Sequence, residues 1–305
     1  MPKCALIVGY GSIGSRHARL LTELGCRTVV VSKRDVDFPA RYSDLEHALA
    51  TEQPDYVVVA NATNQHHATL LTLAQLGYTG TVLVEKPLFS DFEVLGKLPF
   101  KQIFVAYNLR FHPIIQRLKN LLEGEEILSV QAYVGQYLPD WRPATDYRES
   151  YSANASQGGG ALRDLSHELD YLLWMLGGWQ KVSALGGHLS PLEISSDDVF
   201  ALMLTTPACP IAMLQLNYLD KLARRTVLIN TANHTIEADL IKGVVTLDRQ
   251  TETFTVGRDD TYRAMHEAVI SGKSDSLCSL TEGSEVMRLI AAAEQSAITE
   301  EWVKR

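Results

Sequence analysis

An α/β chain of two domains is predicted: a doubly wound parallel sheet at the amino end, then an α+β domain with a large open, mostly antiparallel sheet. Three observations predict it. The first third of the 305 residues alternates short apolar strand runs with helical patterns. Within it, one apolar run passes through closely spaced glycines straight into an amphipathic helix. From Ile127 onward, longer alternating strand patterns succeed one another with few helices between them. The domains are placed at 1–110 and 111–305.

Ala5-Leu6-Ile7-Val8 is the first strand. Gly9-x-Gly11-x-x-Gly14 follows, and the helix runs through Leu20, Leu21 and Leu24 to a stop at Gly25. Between a strand and a helix, this triplet is a dinucleotide fingerprint. Gly9 permits the tight turn, Gly11 lets the backbone approach a pyrophosphate, and Gly14 lets helix and strand pack closely. Ser12 and Ile13 open the helix, whose free N–H groups and partial positive charge suit phosphate. The plainer alternative is a glycine turn that only packs a helix onto a strand.

Thr28–Val31 is the second strand, and it ends in Ser32-Lys33-Arg34. An NAD-selective site usually carries an acid about 20 residues past the glycines, on the ribose hydroxyls. Here the first acid is Asp35, too far along the loop. Ser32 can bond a phosphate oxygen, and Lys33 or Arg34 can pair with its charge. NADP is therefore expected in preference to NAD. Ser43-Asp44-Leu45-Glu46 reads as a capping box that opens a short helix. Tyr56–Ala60 is a buried strand, and Asn61-Ala62-Thr63-Asn64-Gln65-His66 is the polar loop at its carboxyl end. Open α/β sheets bind ligands at that end, so Asn61, Thr63 and His66 are candidate cofactor contacts. A helix to Gly77 and the strand Thr81–Val84 follow, then Glu85-Lys86-Pro87. Ile103–Tyr107 is one more strand.

Glu85 and Lys86 therefore fall at the mouth of the sheet, beside the expected cofactor. A lysine there can donate a proton or hydrogen bond to a substrate oxygen. The plainer reading is a strand end with a solvated ion pair.

The second domain begins with a helix through Leu121. Its strands are Leu128–Val134, Val199–Leu204, Ile211–Tyr218, Arg225–Asn230, Thr235–Asp239 and Val244–Asp248. Helices are predicted at Ala161–Leu176 and from Thr281 to about Thr299. On a wheel of the first of these, Leu162, Leu165, Leu169, Leu172 and Leu176 make an apolar stripe. Asp164, His167, Asp170 and Trp174 lie roughly opposite. Asp164, three residues before His167, can orient it or raise its pKa, which suits acid–base work near neutrality. An idle histidine on an ordinary amphipathic helix is the alternative. The loop from Gly135 to Arg148 mixes aromatics, arginines and acids with two prolines. Arg142 suits a carboxylate or phosphate, and Trp141 and Tyr147 suit sugar faces. A loop packed at a subunit contact is the alternative.

Bulk numbers exclude other classes. Hydrophobic residues make up 46% and charged residues 21%, as in a soluble globular protein. A net charge of −8 argues against nucleic acid or a membrane as partner. The amino-terminal run reads as a strand ending in glycines, not as a secretory signal, and no apolar stretch reaches membrane-span length. Cys4, Cys26, Cys209 and Cys278 are scattered without a C-x-x-C, so reduced thiols in a cytoplasmic protein are expected and a metal site is not.

The glycine fingerprint, Glu85-Lys86-Pro87, the run from Tyr107 to Pro113 and the glycine-rich helix with His167, in this order and spacing, resemble the glucose–fructose oxidoreductase / inositol dehydrogenase / MocA family of NAD(P)-dependent oxidoreductases. The resemblance covers nearly the whole chain. It implies a Rossmann domain, then a domain with a large open sheet, and hydride transfer between NAD(P) and a sugar or cyclitol carbon. It implies Lys86 and His167 as acid–base residues, and Arg110 joins the substrate residues from the Tyr107–Pro113 run. Two departures stand out. Many members have an aspartate four residues before the histidine, where this chain has Arg163, and Ala62 replaces the usual loop proline.

The expected function is thus an NAD(P)-dependent dehydrogenase of a sugar or sugar derivative, with Lys86 and His167 moving the hydroxyl proton. Alternatives are a non-catalytic NAD(P)-sensing regulator and a redox-neutral epimerase or anhydro-sugar enzyme that retains its cofactor. A homodimer or homotetramer through the open carboxyl-terminal sheet is expected, because its free face needs covering.

Overall fold

The computed structural model describes residues 4–94, 96–141, 143 and 145–305. They divide into two compact units, 1–111 with 258–284 and 112–257 with 285–305.

The first unit begins with β1 (Cys4–Val8), α1 (Ser12–Glu23), β2 (Arg27–Val31), β3 (Arg41–Tyr42), α2 (Leu45–Glu52), β4 (Tyr56–Val59), α3 (His66–Gln75), β5 (Thr81–Val84) and β6 (Gln102–Val105). All five residues of β1 and all four of β4 are buried, which is why these strands read as unbroken apolar runs. β1 pairs in parallel with β2 and β4, and β5 lies between β4 and β6, also in parallel. The carboxyl ends of β1, β4 and β5 therefore share one edge of the sheet. The short helix α2 starts one residue later than the capping-box reading: Asp44 is the N-cap and accepts the His47 amide at 2.8 Å. Its carboxylate does this directly, so Ser43 is left outside the helix.

The second unit opens with α4 (Pro113–Leu121), β7 (Ile127–Gly135), α5 (Ala161–Asp164) and α6 (His167–Leu176). At the start of α4, His112 Nδ1 accepts the Ile114 amide at 3.2 Å, which requires that nitrogen to be unprotonated. Burial, with Arg225 nearby, pushes the His112 pKa down to about 4. β8 (Lys181–Gly187), β9 (Val199–Thr205), β10 (Ala212–Asn217), β11 (Arg224–Thr231), β12 (Thr235–Asp239), β13 (Val244–Leu247) and β14 (Gln250–Thr253) complete most of a second sheet. Alternate residues of β9 and β10 are buried and exposed, the pattern of a sheet with one covered face.

The chain then supplies α7 (Asp260–Ser271), β15 (Cys278–Ser279), α8 (Leu280–Thr299) and β16 (Val303–Lys304). α7 and β15 belong to the first unit, although the sequence reading ran the second domain unbroken to 305. Met265, Ala268 and Leu277 join Ile7, Val58 and Leu83 in one core, and β15 pairs antiparallel with β6. Among the described residues, the first sheet thus has seven strands in the order β15-β6-β5-β4-β1-β2-β3. Among the same residues the second has nine, in the order β14-β13-β12-β11-β7-β10-β9-β8-β16, and only its β7–β10 pair is parallel. Among the described residues, no helix is long and apolar enough to cross a membrane.

Candidate active site

In the first unit the glycine turn carries β1 into α1. Gly9 has φ +99°, and a Cβ there would meet the backbone of Asn61 at 2.6 Å. Gly14 is closer still: its Cβ would lie 2.1 Å from the Gly9 carbonyl oxygen. The loop is therefore built against the end of β4, and both glycines are steric requirements. Gly11 differs. Its nearest neighbour is the Arg34 guanidinium at 3.9 Å, so the space in front of it is open. Gly11 is the N-cap of α1, no side chain among the described residues caps the helix, and its first turn holds no acid. The amide groups of Ser12 and Ile13 sit in that bare, partly exposed turn.

The other cofactor candidates surround this turn or are used elsewhere. Ser32 is buried and its hydroxyl donates to the Arg34 carbonyl at 3.1 Å, which shapes the turn after β2. Lys33 and Arg34 are exposed, and Arg34 donates to the Tyr10 carbonyl at 3.2 Å. Asp35 pairs with Arg41 at 2.8 Å. Asn61 donates to Thr69 Oγ1 at 2.8 Å, while its Oδ1 is buried with no hydrogen-bond partner among the described residues. Thr63 begins a turn of 3₁₀ helix and is half-buried. His66 is 1% exposed and its ring nitrogens face the Leu88 and Asn61 carbonyls at 3.1 and 3.3 Å. Burial lowers its pKa. It ties the loop after β4 to the loop after β5 and is a brace for the site, not an exposed ligand.

Glu85 also turns inward. His17 Nε2 stands 2.7 Å from one carboxylate oxygen, and the Lys86 amide donates to the other at 3.0 Å. Its carboxylate is thus committed to the protein, where a cofactor contact was expected. Lys86 itself is half-buried at the carboxyl end of β5, and the Lys86–Pro87 bond is cis. Arg110, expected among substrate residues, is 1% exposed and pairs with Glu282 at 2.8 Å, also donating to the Leu277 carbonyl. Its partners lie in the returning segment of the first unit, which the sequence had assigned elsewhere.

A bare helix N-terminus, a backbone cradle with open space at Gly11 and the buried Asn61 oxygen fit a dinucleotide. Gly9, Gly11, Ser12, Ile13 and Gly14 would hold its phosphates.

In the second unit the predicted helix Ala161–Leu176 is two helices. α5 ends at Asp164, and α6 begins at His167 after a break at Leu165-Ser166. The i, i+3 relation of a straight helix therefore does not govern Asp164 and His167. Asp164 is 4% exposed, and its two oxygens accept hydroxyls of Tyr151 and Tyr218, each at 2.6 Å. Those tyrosines lie far along the chain or in irregular turns, and no local pattern pointed to them. Tyr218 also meets Trp141 edge-on, with ring centres 5.1 Å apart. His167 is half-buried as the first residue of α6. Arg163, at the position where the resemblance implies an aspartate, is ion-paired to Glu294. Tyr147 is half-buried and its hydroxyl accepts the Glu193 amide at 3.2 Å. The expected contact from Arg142 lies outside the described residues.

One further side chain was missed. Asp197 closes the start of α5: its carboxylate accepts the Leu162 amide at 2.8 Å, and its carbonyl accepts that of Ala161. Burial raises its pKa to about 6. Two acids preceded by Ser195-Ser196 are the only signal the sequence carried. A hollow of about 610 Å³ lined by Glu46, Gln53, Asp55, Tyr78 and Lys101 opens at the amino ends of β4 and β5, the edge opposite the glycine turn.

Comparison with known proteins follows the same division. The description "Oxidoreductase family, NAD-binding Rossmann fold" matches residues 3–98, and "GFO/IDH/MocA C-terminal domain" matches residues 115–237. No curated protein matches. Among solved structures, the WlbA dehydrogenase from Bordetella pertussis in complex with NADH and UDP-GlcNAcA is 21% identical, with TM-score 0.80 over 100% of this chain and 99% of that one. A levoglucosan dehydrogenase in complex with NADH and levoglucosan is 16% identical, with TM-score 0.84 over 99% and 98%. A putative NADPH-dependent oxidoreductase from Desulfitobacterium hafniense is 15% identical, with TM-score 0.81 over 99% and 98%. These likenesses establish the fold. With both parts of the chain matching one family, the chain belongs to the GFO/IDH/MocA family of NAD-binding oxidoreductases.

Proposed function

We propose that this protein is an NAD(P)-dependent dehydrogenase acting on a sugar or sugar derivative. The observation that carries the proposal is the bare, glycine-cradled start of α1 on the same sheet edge as the lysine that ends β5. Two similar structures in complex with NADH and a sugar-type ligand support the substrate class. The nicotinamide supplies or accepts the hydride when bound. Lys86 polarises the substrate oxygen and donates its hydrogen bond there. His167 takes up or returns the hydroxyl proton. Asp164, held by Tyr151 and Tyr218 three residues before His167, is the supporting residue of His167 in this reading. Trp141 and Tyr147 offer rings to sugar faces.

NADP is the preferred cofactor in this reading. Arg34 stands over the glycine turn with its guanidinium exposed, and Asp35 is occupied by Arg41. A charge-assisted contact to a 2′-phosphate is worth about 1.5–3 kcal/mol, roughly tenfold or more in affinity. NADP should bind the wild type more tightly than NAD, and Lys33→Ala or Arg34→Ala should lose that advantage while keeping NAD affinity. Tighter NAD binding by the wild type would reverse the assignment. The protein works in the cytoplasm, as four cysteines without a disulfide suggest, and pairs with a second copy through the open face of its nine-stranded sheet.

The deciding experiment follows nicotinamide absorbance against a panel of sugars, uronates, cyclitols and nucleotide sugars. On the substrate found, Lys86→Ala and His167→Ala should each cost on the order of a hundredfold in turnover. Wild-type turnover in both would defeat the mechanism. Asp164→Asn should shift the acidic limb of the pH–rate profile.

A further inference from the structure

Behind Lys86, inside the first unit, four buried polar side chains form a single line. The Tyr56 hydroxyl lies 3.1 Å from His266 Nδ1. His266 Nε2 lies 2.8 Å from His17 Nδ1, and His17 Nε2 lies 2.7 Å from Glu85. The other Glu85 oxygen accepts the Lys86 amide. His17 and His266 are wholly buried, and Tyr56 and Glu85 nearly so. We propose that Tyr56, His266 and His17 are a one-way hydrogen-bond chain that ends on Glu85 and through it fixes the Lys86 backbone, making His17 a positioning residue for Lys86.

Counting donors sets the direction. Tyr56 has one hydroxyl proton, and among the described residues the acceptor it meets is His266 Nδ1. Burial holds that proton in place by raising the Tyr56 pKa well above its ordinary value. His266 Nδ1 therefore accepts, and the ring proton is on Nε2. Burial holds the pKa of His266 well below its ordinary value and keeps the ring neutral. Its Nε2–H must then donate to His17 Nδ1, so the His17 proton is on Nε2 and donates to Glu85. Every O–H and ring N–H along the line then has an acceptor. Were His17 doubly protonated, it would donate to His266, His266 would donate to Tyr56, and the Tyr56 hydroxyl proton would have no acceptor among the described residues. Tyr262 also faces the pair, edge-on to His17 with centres 5.7 Å apart and with Arg16 over its ring. The line has no exit to solvent at Tyr56, so it supports a geometry and does not conduct protons.

The consequence for Lys86 rests on the acid–base reading of that residue; the protonation pattern does not. Nitrogen-15 NMR of the histidine rings in the whole protein should show both His17 and His266 as neutral Nε2–H tautomers through neutral pH. A His17 imidazolium, or an Nδ1–H tautomer at either ring, overturns the proposal. Tyr56→Phe removes the donor that sets the direction, so His17 should become free to charge against Glu85 and its NMR pKa should rise. An unchanged pKa counts against the chain. His17→Ala should lower kcat about tenfold with little change in sugar KM, and His17→Gln, which keeps a donor for Glu85, should recover part of the loss. Equal losses in both variants, or a change in KM alone, overturn the positioning role. Should Lys86→Ala retain full turnover, the acid–base reading fails while the NMR result stands.

Discussion

Two glycine-led turns start helices in this protein, and they end differently. The turn at Gly9–Gly14 leaves the start of α1 bare, with no side-chain cap and no acid in the first turn. The turn at Gly158–Gly160 leads into α5, whose first amides are taken by Asp197 from more than thirty residues along the chain. At Gly160, φ is +126°, and a Cβ would fall 2.0 Å from the Asp197 carboxylate. Glycine thus admits a close neighbour in both places. In the first the neighbours are backbone, that of Asn61 at Gly9 and the turn's own at Gly14, and the helix end stays available to an anion. In the second a carboxylate of the protein already fills that position. A run of glycine before a helix is consequently not evidence of a phosphate site until the helix end is seen to be free.

Substitutions can break or sharpen this contrast. The largest effect is expected at Gly14→Ala. Its new methyl would displace the Gly9 carbonyl, and cofactor affinity should fall on the order of a hundredfold, measured by fluorescence titration. Gly160→Ala should instead leave cofactor affinity alone and cost about 2 kcal/mol or more of stability, measured by denaturant unfolding. If both glycine variants lose cofactor equally, the two turns are not different in kind.

Gly11→Ala comes next. The chain has room for that methyl, so the melting temperature should hold while cofactor affinity drops roughly tenfold, because the methyl occupies the space a pyrophosphate needs. A loss of stability with unchanged affinity would show the opposite division.

Asp197→Asn tests the filled helix end through pH. The folded pKa of about 6 lies above the ordinary value of 3.8. Below the lower value both folded and unfolded chains are protonated at this group. Between the two, the unfolded chain gives up the proton first, so rising pH costs stability, and above the upper value the cost is constant. Asp197→Asn should therefore gain about 1–3 kcal/mol at neutral pH and flatten the decline between those two values. A variant that is less stable at every pH would mean that the charge itself holds α5.

The smallest effect is expected from Ser12→Asp. An acid in the first turn of α1 should stabilise the cofactor-free protein by about 0.3–1 kcal/mol. It should also weaken cofactor binding by occupying the same partial charge. Improved stability together with improved binding would argue that no anion is held there.

Much of the first unit was legible because its signals are local. Buried parallel strands read as apolar runs, and Gly9, Gly11 and Gly14 mark a turn wherever such a strand meets a helix. The same locality put Lys86 and the loop of Asn61 and Thr63 at strand ends, once the sheet was parallel. The alternation in β9 and β10 likewise announced a sheet with one covered face. Partners across long distances were not legible. Nothing near Arg110 indicates that Glu282 will neutralise it, and nothing near His17 indicates His266, 249 residues away. The return of 258–284 to the first unit depends on Met265, Ala268 and Leu277 finding a core made by the amino-terminal strands. The break between α5 and α6 is another such case. An unbroken leucine stripe predicted one helix, but Asp164 is held by Tyr151 and Tyr218, and α6 restarts at His167. Periodicity reports which face of an element is buried. Only the folded chain decides which charged or hydroxyl group from elsewhere meets that face, because a buried polar atom takes whatever partner the packing brings within hydrogen-bond reach.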